Sequence, residues 1–491
     1  MMVKRFVAGL LVAVLVLVGV LLGNTWRQGS VQVSVTPLAP LAVDAGAVAQ
    51  SMAAAVRART VSGLADPTGS EAAFAALQAH LRERYPLVHA QLKREVIGAH
   101  SLLFTWPGSD TSAKPIALLA HQDVVPVAPG TEALWQHQPF AGVIADGHVW
   151  GRGTLDNKVN LITQLEAVET LLKAGYKPRR GALFFFGHDE EVGGREGAVQ
   201  AVAMLRQRGV RLEFVLDEGL AITDGVLAGV KAPLALIGLA EKGGVSLKLT
   251  AKAPPGHSSM PPAASGASAI GMLSAALNQL DRHPVEGGIR GVAAGMFAVV
   301  APELPLAQRV PLANLWLFRP VVESMLARGA ATNAMLRTTT ALTMVNAGNR
   351  PNVLPGDATA VVNFRLLPGD SSASVTEHVR RVIADERIAI EVLGNPAEPS
   401  RISAADAAGF RLIERSIREV FPQALVAPGL VLAGTDSRHF EPIADNVYRF
   451  MPIRFASADL ARVHGTDERI AVDQLAGMVR FYHRLLQEAL R

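Results

Sequence analysis

Hydrophobic positions along the chain change their spacing several times. An unbroken apolar run spans residues 6–22, preceded by Lys4 and Arg5. Residues 43–59 and 70–84 have helical composition, with Pro67, Thr68 and Gly69 marking a turn between them. Short apolar runs at 115–120, 182–186 and 212–216 then predict strands. They alternate with predicted helices at 158–174 and 197–208; the first carries Leu161, Ile162, Leu165, Val168, Leu171 and Leu172 at helical spacing. Such alternation implies a largely parallel sheet buried on both faces.

After Lys231 the pattern shifts. Strands are predicted at 234–239, 245–251, 336–345, 359–366 and 388–392, with helices at 267–280 and 374–384. The prolines around His257 break the chain, and residues 287–331 read as an irregular, proline-punctuated insertion. A βαββαβ unit fits this stretch. From Ser403 the first pattern resumes, with helices at 404–420 and 472–490. The expected fold class is therefore α/β: a mostly parallel sheet carrying an inserted α+β lid. The divisions are 1–26 (anchor or signal), 27–44 (tether), 45–233 (first part of the main domain), 234–394 (inserted lid) and 395–491 (second part).

Composition narrows the function. The chain has 491 residues, 49% of them hydrophobic and 18% charged, which suits a globular enzyme with a large core. The net charge of +4 is scattered, and the densest basic cluster, 177–180, is too short for a nucleic-acid surface. Cysteine is absent, so disulfides, zinc–thiolate sites and cysteine nucleophiles are excluded. No Gly-x-Ser-x-Gly elbow accompanies the strands, which disfavours a serine hydrolase.

The first apolar run is at the short end of the roughly 17–25 residues of a membrane span. It exceeds the roughly 7–15 residues of a signal-peptide core. With no clear Ala-x-Ala site near 23–26, an uncleaved signal anchor is favoured over a secretory signal. Either one places the catalytic portion outside the cytoplasm, on the periplasmic or extracellular side.

The chemistry sits just past the apolar runs. His121 and Asp123 follow 116–120 with period-two spacing, so one extended segment points both side chains to one face. His121 can bind a metal through one ring nitrogen while Asp123 accepts from the other. Asp156 follows Gly151 and Gly153, and its two oxygens can bridge two cations; it is also placed to cap the helix from Lys158. Asp189, Glu190 and Glu191 are consecutive acids that repel unless cations compensate. One glutamate can ligate metal while the other takes a proton from water. Asp217, first past its run, is the expected ligand, with Glu218 as the fallback. His464, far away in sequence, adds little by itself. Apolar strands ending in carboxylates and imidazoles point to a two-metal hydrolase at the carboxyl edge of a sheet. In the inserted unit, His257 suits a proton donor or oxyanion partner. Arg365 suits a bidentate grip on a substrate carboxylate. Asn333, Arg350 and Asn352 are weaker candidates for substrate binding.

Taken together, the motifs resemble the M20 metallopeptidases, which include carboxypeptidases, aminoacylases and dipeptidases. They are His121 to Pro126, Trp150 to Lys158, Gly187 to Glu191, Pro255 to Ser258, Asn352 to Pro355 and Gly434 to His439. His188, the stretch 337–340 and the segment 435–439 look most like the carboxypeptidase S branch, which also holds N-fatty-acyl-amino-acid synthase/hydrolases. The resemblance implies a zinc-hydrolase catalytic domain with two zinc ions bridged by Asp156; cobalt or manganese suits the same donors. His121 and Asp217 would hold one ion, Glu191 and His464 the other. Asp123 would orient His121, and Glu190 would be the general base. The implied substrate is a small peptide or an N-acyl amino acid. A homodimer through the lid is a further implication, but the long segment 287–331 departs from a minimal lid.

Overall fold

The computed structural model describes residues 2–62, 67–225, 229–264, 266–456 and 458–491. The apolar runs become central strands of a ten-stranded sheet. In Ile116–His121, Ile116, Leu118 and Ala120 enter one core while Ala117 and Leu119 enter the other. Ala182–Gly187 repeats this, with Phe184 and Phe186 on one side and Phe185 on the opposite side. A strand covered on both faces needs apolar residues at every position, so its sequence reads as a continuous run.

Ala182–Gly187, Ile116–His121, Leu212–Asp217 and Ala444–Arg449 lie side by side and parallel. The antiparallel strands Lys93–Ile97 and Ser101–Trp106 extend one edge. Past Ala444–Arg449 come Leu234–Glu241 and its parallel neighbour Leu425–Val431. Helices Ala45–Arg57, Lys158–Lys173 and Val472–Ala489 bury their apolar sides on one face of the sheet, and Ala198–Gln207 on the other.

A second, four-stranded antiparallel sheet runs in the order Thr339–Ala347, Asp357–Leu366, Gly243–Lys252, Ile388–Ala397. Helices Ala269–Arg282 and Ser372–Ile383 pack on one of its faces against Leu247, Leu249, Val362 and Phe364. Gly243–Lys252 alternates buried and half-buried positions, as a strand with one covered face does.

Two expectations change. Leu234–Glu241 belongs to the large sheet rather than to the inserted unit, because it is buried on both faces between neighbours; the second sheet starts only at Gly243. Residues 287–331 are not irregular. They contain helices Gly291–Val300, Leu306–Ala313 and Leu315–Leu326, followed by Ala330–Leu336, around Met296, Phe297 and Val322. Pro311 and Pro320 lie inside two of these helices, although proline usually ends a helix; Leu312 is partly buried beside the first and Val322 buried beside the second.

The N-terminal helix, Met2–Arg27, is long and apolar enough to cross a membrane. Residues 28–44 form no helix or strand, yet they lie against the main body. Gln32 donates to Val426 O at 2.9 Å and accepts from Val426 N at 2.7 Å, and Arg480 Nε donates to Leu41 O at 2.8 Å.

Candidate metal centre

The carboxyl ends of three parallel strands bring the site together. His121 is the last residue of its strand, Glu190 and Glu191 follow Ala182–Gly187, and Glu218 follows Leu212–Asp217. Asp156 comes from the loop ahead of the Lys158–Lys173 helix, and His464 from a loop near the C-terminus.

His121 Nδ1 lies 2.9 Å from the main-chain oxygen of Asp123 and 3.3 Å from its Oδ1. A proton on Nδ1 satisfies both and leaves Nε2 as a lone-pair donor. That nitrogen faces Asp156 Oδ1 at 3.0 Å, Glu218 Oε1 at 3.3 Å and Glu190 Oε2 at 4.0 Å. Asp156 presents its other oxygen, Oδ2, to His464 Nε2 at 3.0 Å, and the same nitrogen lies 3.3 Å from Glu191 Oε2. Two triplets result, His121–Asp156–Glu218 and Asp156–Glu191–His464, each with its donor atoms within 4.8 Å of one another. Asp156 belongs to both.

Burial of this many acids is costly unless positive charge compensates them. Burial, with Asp156 adding to it, pushes Glu218 up to about 8. Burial likewise holds the Glu190 carboxyl well above its usual range. Bonds to Asp156 and Glu191 lift His464 to about 10. Burial opposes the charged form of His121, but Glu218, Asp123 and Asp156 together raise it well above its ordinary value. Glu191 Oε1 is buried without a hydrogen-bond partner. Imidazole nitrogens and carboxylate oxygens packed this way fit divalent cations, which would supply the missing charge.

Asp123 holds the floor of the site: its two carboxylate oxygens accept the main-chain N–H groups of Glu190 (3.3 Å) and Glu191 (3.1 Å). The expected partnership of His121 with Asp217 gives way to Glu218. The Asp217 carboxylate instead accepts the N–H of Glu218 at 2.9 Å and of Ser437 at 2.9 Å, one on each oxygen.

Glu468, for which the sequence suggested no role, ties the halves together. Fully buried, it accepts N–H groups from Gly153 (2.9 Å), Leu155 (2.8 Å) and Asp156 (3.2 Å), and pairs with Arg152 at 2.6 Å. Arg152 in turn donates to His464 O at 3.0 Å and Gly465 O at 3.1 Å. Gly153 has φ +91°, where a Cβ would stand 2.9 Å from Val124 Cγ1, so this turn requires glycine. His464 itself holds φ +59°, an uncommon conformation for a residue with a side chain. Removing Glu468 strands Arg152 in the interior. Glu468→Ala should therefore cost about 3–5 kcal/mol of stability in chemical denaturation. The clue in the sequence, an acid four residues after a histidine, gives no hint of a partner more than three hundred residues away.

Asp436 carries no individual signal in the sequence. It is buried beside the cluster with Oδ2 unpartnered, and burial, then Asp217 and Asp123, raise its carboxyl well above the usual range. Asp436, Thr435, Arg438 and His439 join Glu190 around a cavity of about 750 Å³.

The remaining sequence candidates lie in the second sheet, its turns and the helices beside it. His257 is exposed on the short ladder Gly256–His257 with Val353–Leu354, and its Nδ1 lies 2.7 Å from Ser259 Oγ. Arg350 and Asn352 are exposed on the adjoining turn, where Asn352 O accepts from Ser258 N at 3.1 Å. Arg365 is exposed opposite Gly244 in the second sheet. Asn333 is half-buried in the Ala330–Leu336 helix.

Comparison with known proteins agrees with this geometry. The chain is 38% identical to the probable carboxypeptidase S-like 2 of Dictyostelium discoideum over 496 residues, covering 99% of this chain and 94% of that protein. It is 40% identical to the N-fatty-acyl-amino acid synthase/hydrolase PM20D1 of Xenopus tropicalis over 444 residues, covering 90% and 85%. The fold is similar to that of the M20 family metallo-carboxypeptidase Sso-CP2 from Sulfolobus solfataricus, with a TM-score of 0.63 at 17% identity over 90% of this chain and 98% of that one. Human carnosine dipeptidase 1 has a TM-score of 0.62 at 16% identity over 92% and 100%. Residues 117–488 match the model of Peptidase family M20/M25/M40. The chain therefore belongs to that peptidase family and is a metal-dependent hydrolase.

Proposed function

We propose that this enzyme cleaves an amide bond next to a free carboxylate, in an N-acyl amino acid or at the C-terminus of a small peptide. The observation that carries this is Asp156, shared by two donor triplets with Glu190 beside them. His121, Asp156 and Glu218 would hold one cation, and Asp156, Glu191 and His464 a second; the nitrogen and oxygen donors suit zinc, with cobalt or manganese as alternatives. Cations held there would acidify water and polarise the scissile carbonyl. Glu190 takes a proton from the attacking water and returns it to the amine nitrogen as the C–N bond breaks. Asp123 keeps the His121 ring and the Glu190–Glu191 turn in place. The cavity beside Glu190 gives the acyl portion room.

The relatives named as N-fatty-acyl-amino acid synthase/hydrolases favour an N-acyl amino acid. They also support a second direction, since a site that hydrolyses an amide also forms it when fatty acid and amino acid are concentrated. Product analysis under excess of both separates the two. The N-terminal helix supports an enzyme held at a membrane, with its catalytic portion outside the cytoplasm. A homodimer remains part of the proposal, to be read from the mass of the detergent-solubilised enzyme.

Chelation should abolish hydrolysis of both substrate classes, and added zinc should restore it. Full activity after the metal content has fallen to background would remove the metal centre from the mechanism.

A further inference from the structure

The Leu315–Leu326 helix is apolar on both sides: Val322, with Leu315, Phe318 and Leu326, packs on the protein, and apolar residues also face outward. Its two charged residues sit at the flank, Arg319 half exposed, and both bind the main chain of Ile289: Arg319 Nη1 donates to Ile289 O at 3.0 Å, and Glu323 Oε1 accepts from Ile289 N at 2.8 Å. Its apolar residues Trp316, Val321 and Met325 are 62%, 58% and 64% exposed. A helix on a soluble surface shows water a polar side. Leu306 and Trp26 are also more than half exposed.

The location says what covers this face. The membrane-length helix Met2–Arg27 ends here. Asn314, fully buried, donates to Leu21 O at 3.1 Å and accepts from Asn24 Nδ2 at 2.9 Å and from Trp316 Nε1 at 3.3 Å. Arg309 donates to Thr25 O at 2.8 Å and to Gln28 O. The end of the span is thus clamped to the apolar helix pair, and Trp316 sits at the clamp. Tryptophan, with a broad apolar ring and one N–H, favours the boundary between headgroups and acyl chains.

We propose that Trp26, Leu306, Trp316, Val321 and Met325 form a face that dips into the bilayer crossed by the N-terminal helix. The catalytic portion then rests on the phospholipid surface in one orientation instead of swinging on an anchor. This rests on reading Met2–Arg27 as a membrane span.

The chain has no cysteine, so a single introduced cysteine carries one spin label. Full-length V321C, M325C, L15C and E132C would be reconstituted in phosphatidylcholine/phosphatidylglycerol vesicles. Collisions with dissolved oxygen and with a water-soluble nickel chelate would then be compared. Labels at 321 and 325 should show an oxygen-to-nickel ratio several-fold above that at 132, and below that at 15. Lipid values at 15 with aqueous values at 321 and 325 would overturn the proposal and leave the anchor standing. Aqueous values at 15 would remove the anchor and the proposal together. Spin–spin broadening at 321 that survives dilution with lipid would show a second copy of the chain on this face, and would also overturn it.

Discussion

Glu190→Gln should lower kcat for amide hydrolysis by about 10²–10⁴-fold while the bound metal stays in place. The substitution keeps the shape of the side chain and leaves the main-chain bond from Glu190 to Asp123 intact. It removes only the capacity to take up a proton. Glu190 Oε2 stands 4.0 Å from His121 Nε2, at the edge of the cluster and on the wall of the neighbouring cavity, where a water and a substrate carbonyl can meet. Steady-state kinetics with metal analysis on the same preparation test this. A variant with unchanged kcat would assign the proton transfer to another group.

The second large effect separates two adjacent acids. Glu218→Ala should lose one cation per chain on dialysis, together with nearly all activity, because Glu218 supplies a donor oxygen 3.3 Å from His121 Nε2. Asp217→Asn should keep both cations, with affinity reduced by about 10–100-fold, the usual effect of altering a group that only braces a ligand. Its carboxylate braces the Glu218 and Ser437 main chain, and an amide oxygen can still accept one of those bonds. The reverse outcome, metal lost from Asp217→Asn and retained in Glu218→Ala, would restore Asp217 as the ligand.

These adjacent acids also mark where sequence reading stops. The run ahead of Asp217 locates the end of a strand, since continuous apolarity is the signature of a strand covered on both faces. It does not say which of two consecutive carboxylates turns inward, because that depends on the Ser437 N–H from a distant segment. His121, Asp156 and Glu191 each sit in a distinctive local motif, whereas His464 carries little signal of its own and enters through the family resemblance; the structure sets its Nε2 3.0 Å from Asp156. Glu468 is not legible, since its partners Arg152 and Gly153 lie far off in the chain. The sheet to which Leu234–Glu241 belongs is illegible for a related reason: a short strand carries no mark of the neighbours it will pair with. In 287–331 the prolines suggest irregular chain, whereas the apolar residues around Met296, Phe297 and Val322 gather into one small core in the folded chain.

The tie between Arg152 and the loop around His464 has a temporal consequence. A ribosome releases the early strands, with their crowded carboxylates, long before it releases the segment that closes the second triplet. A nascent chain lacking that segment has only the His121–Asp156–Glu218 triplet. The second triplet is therefore complete only when synthesis is nearly complete.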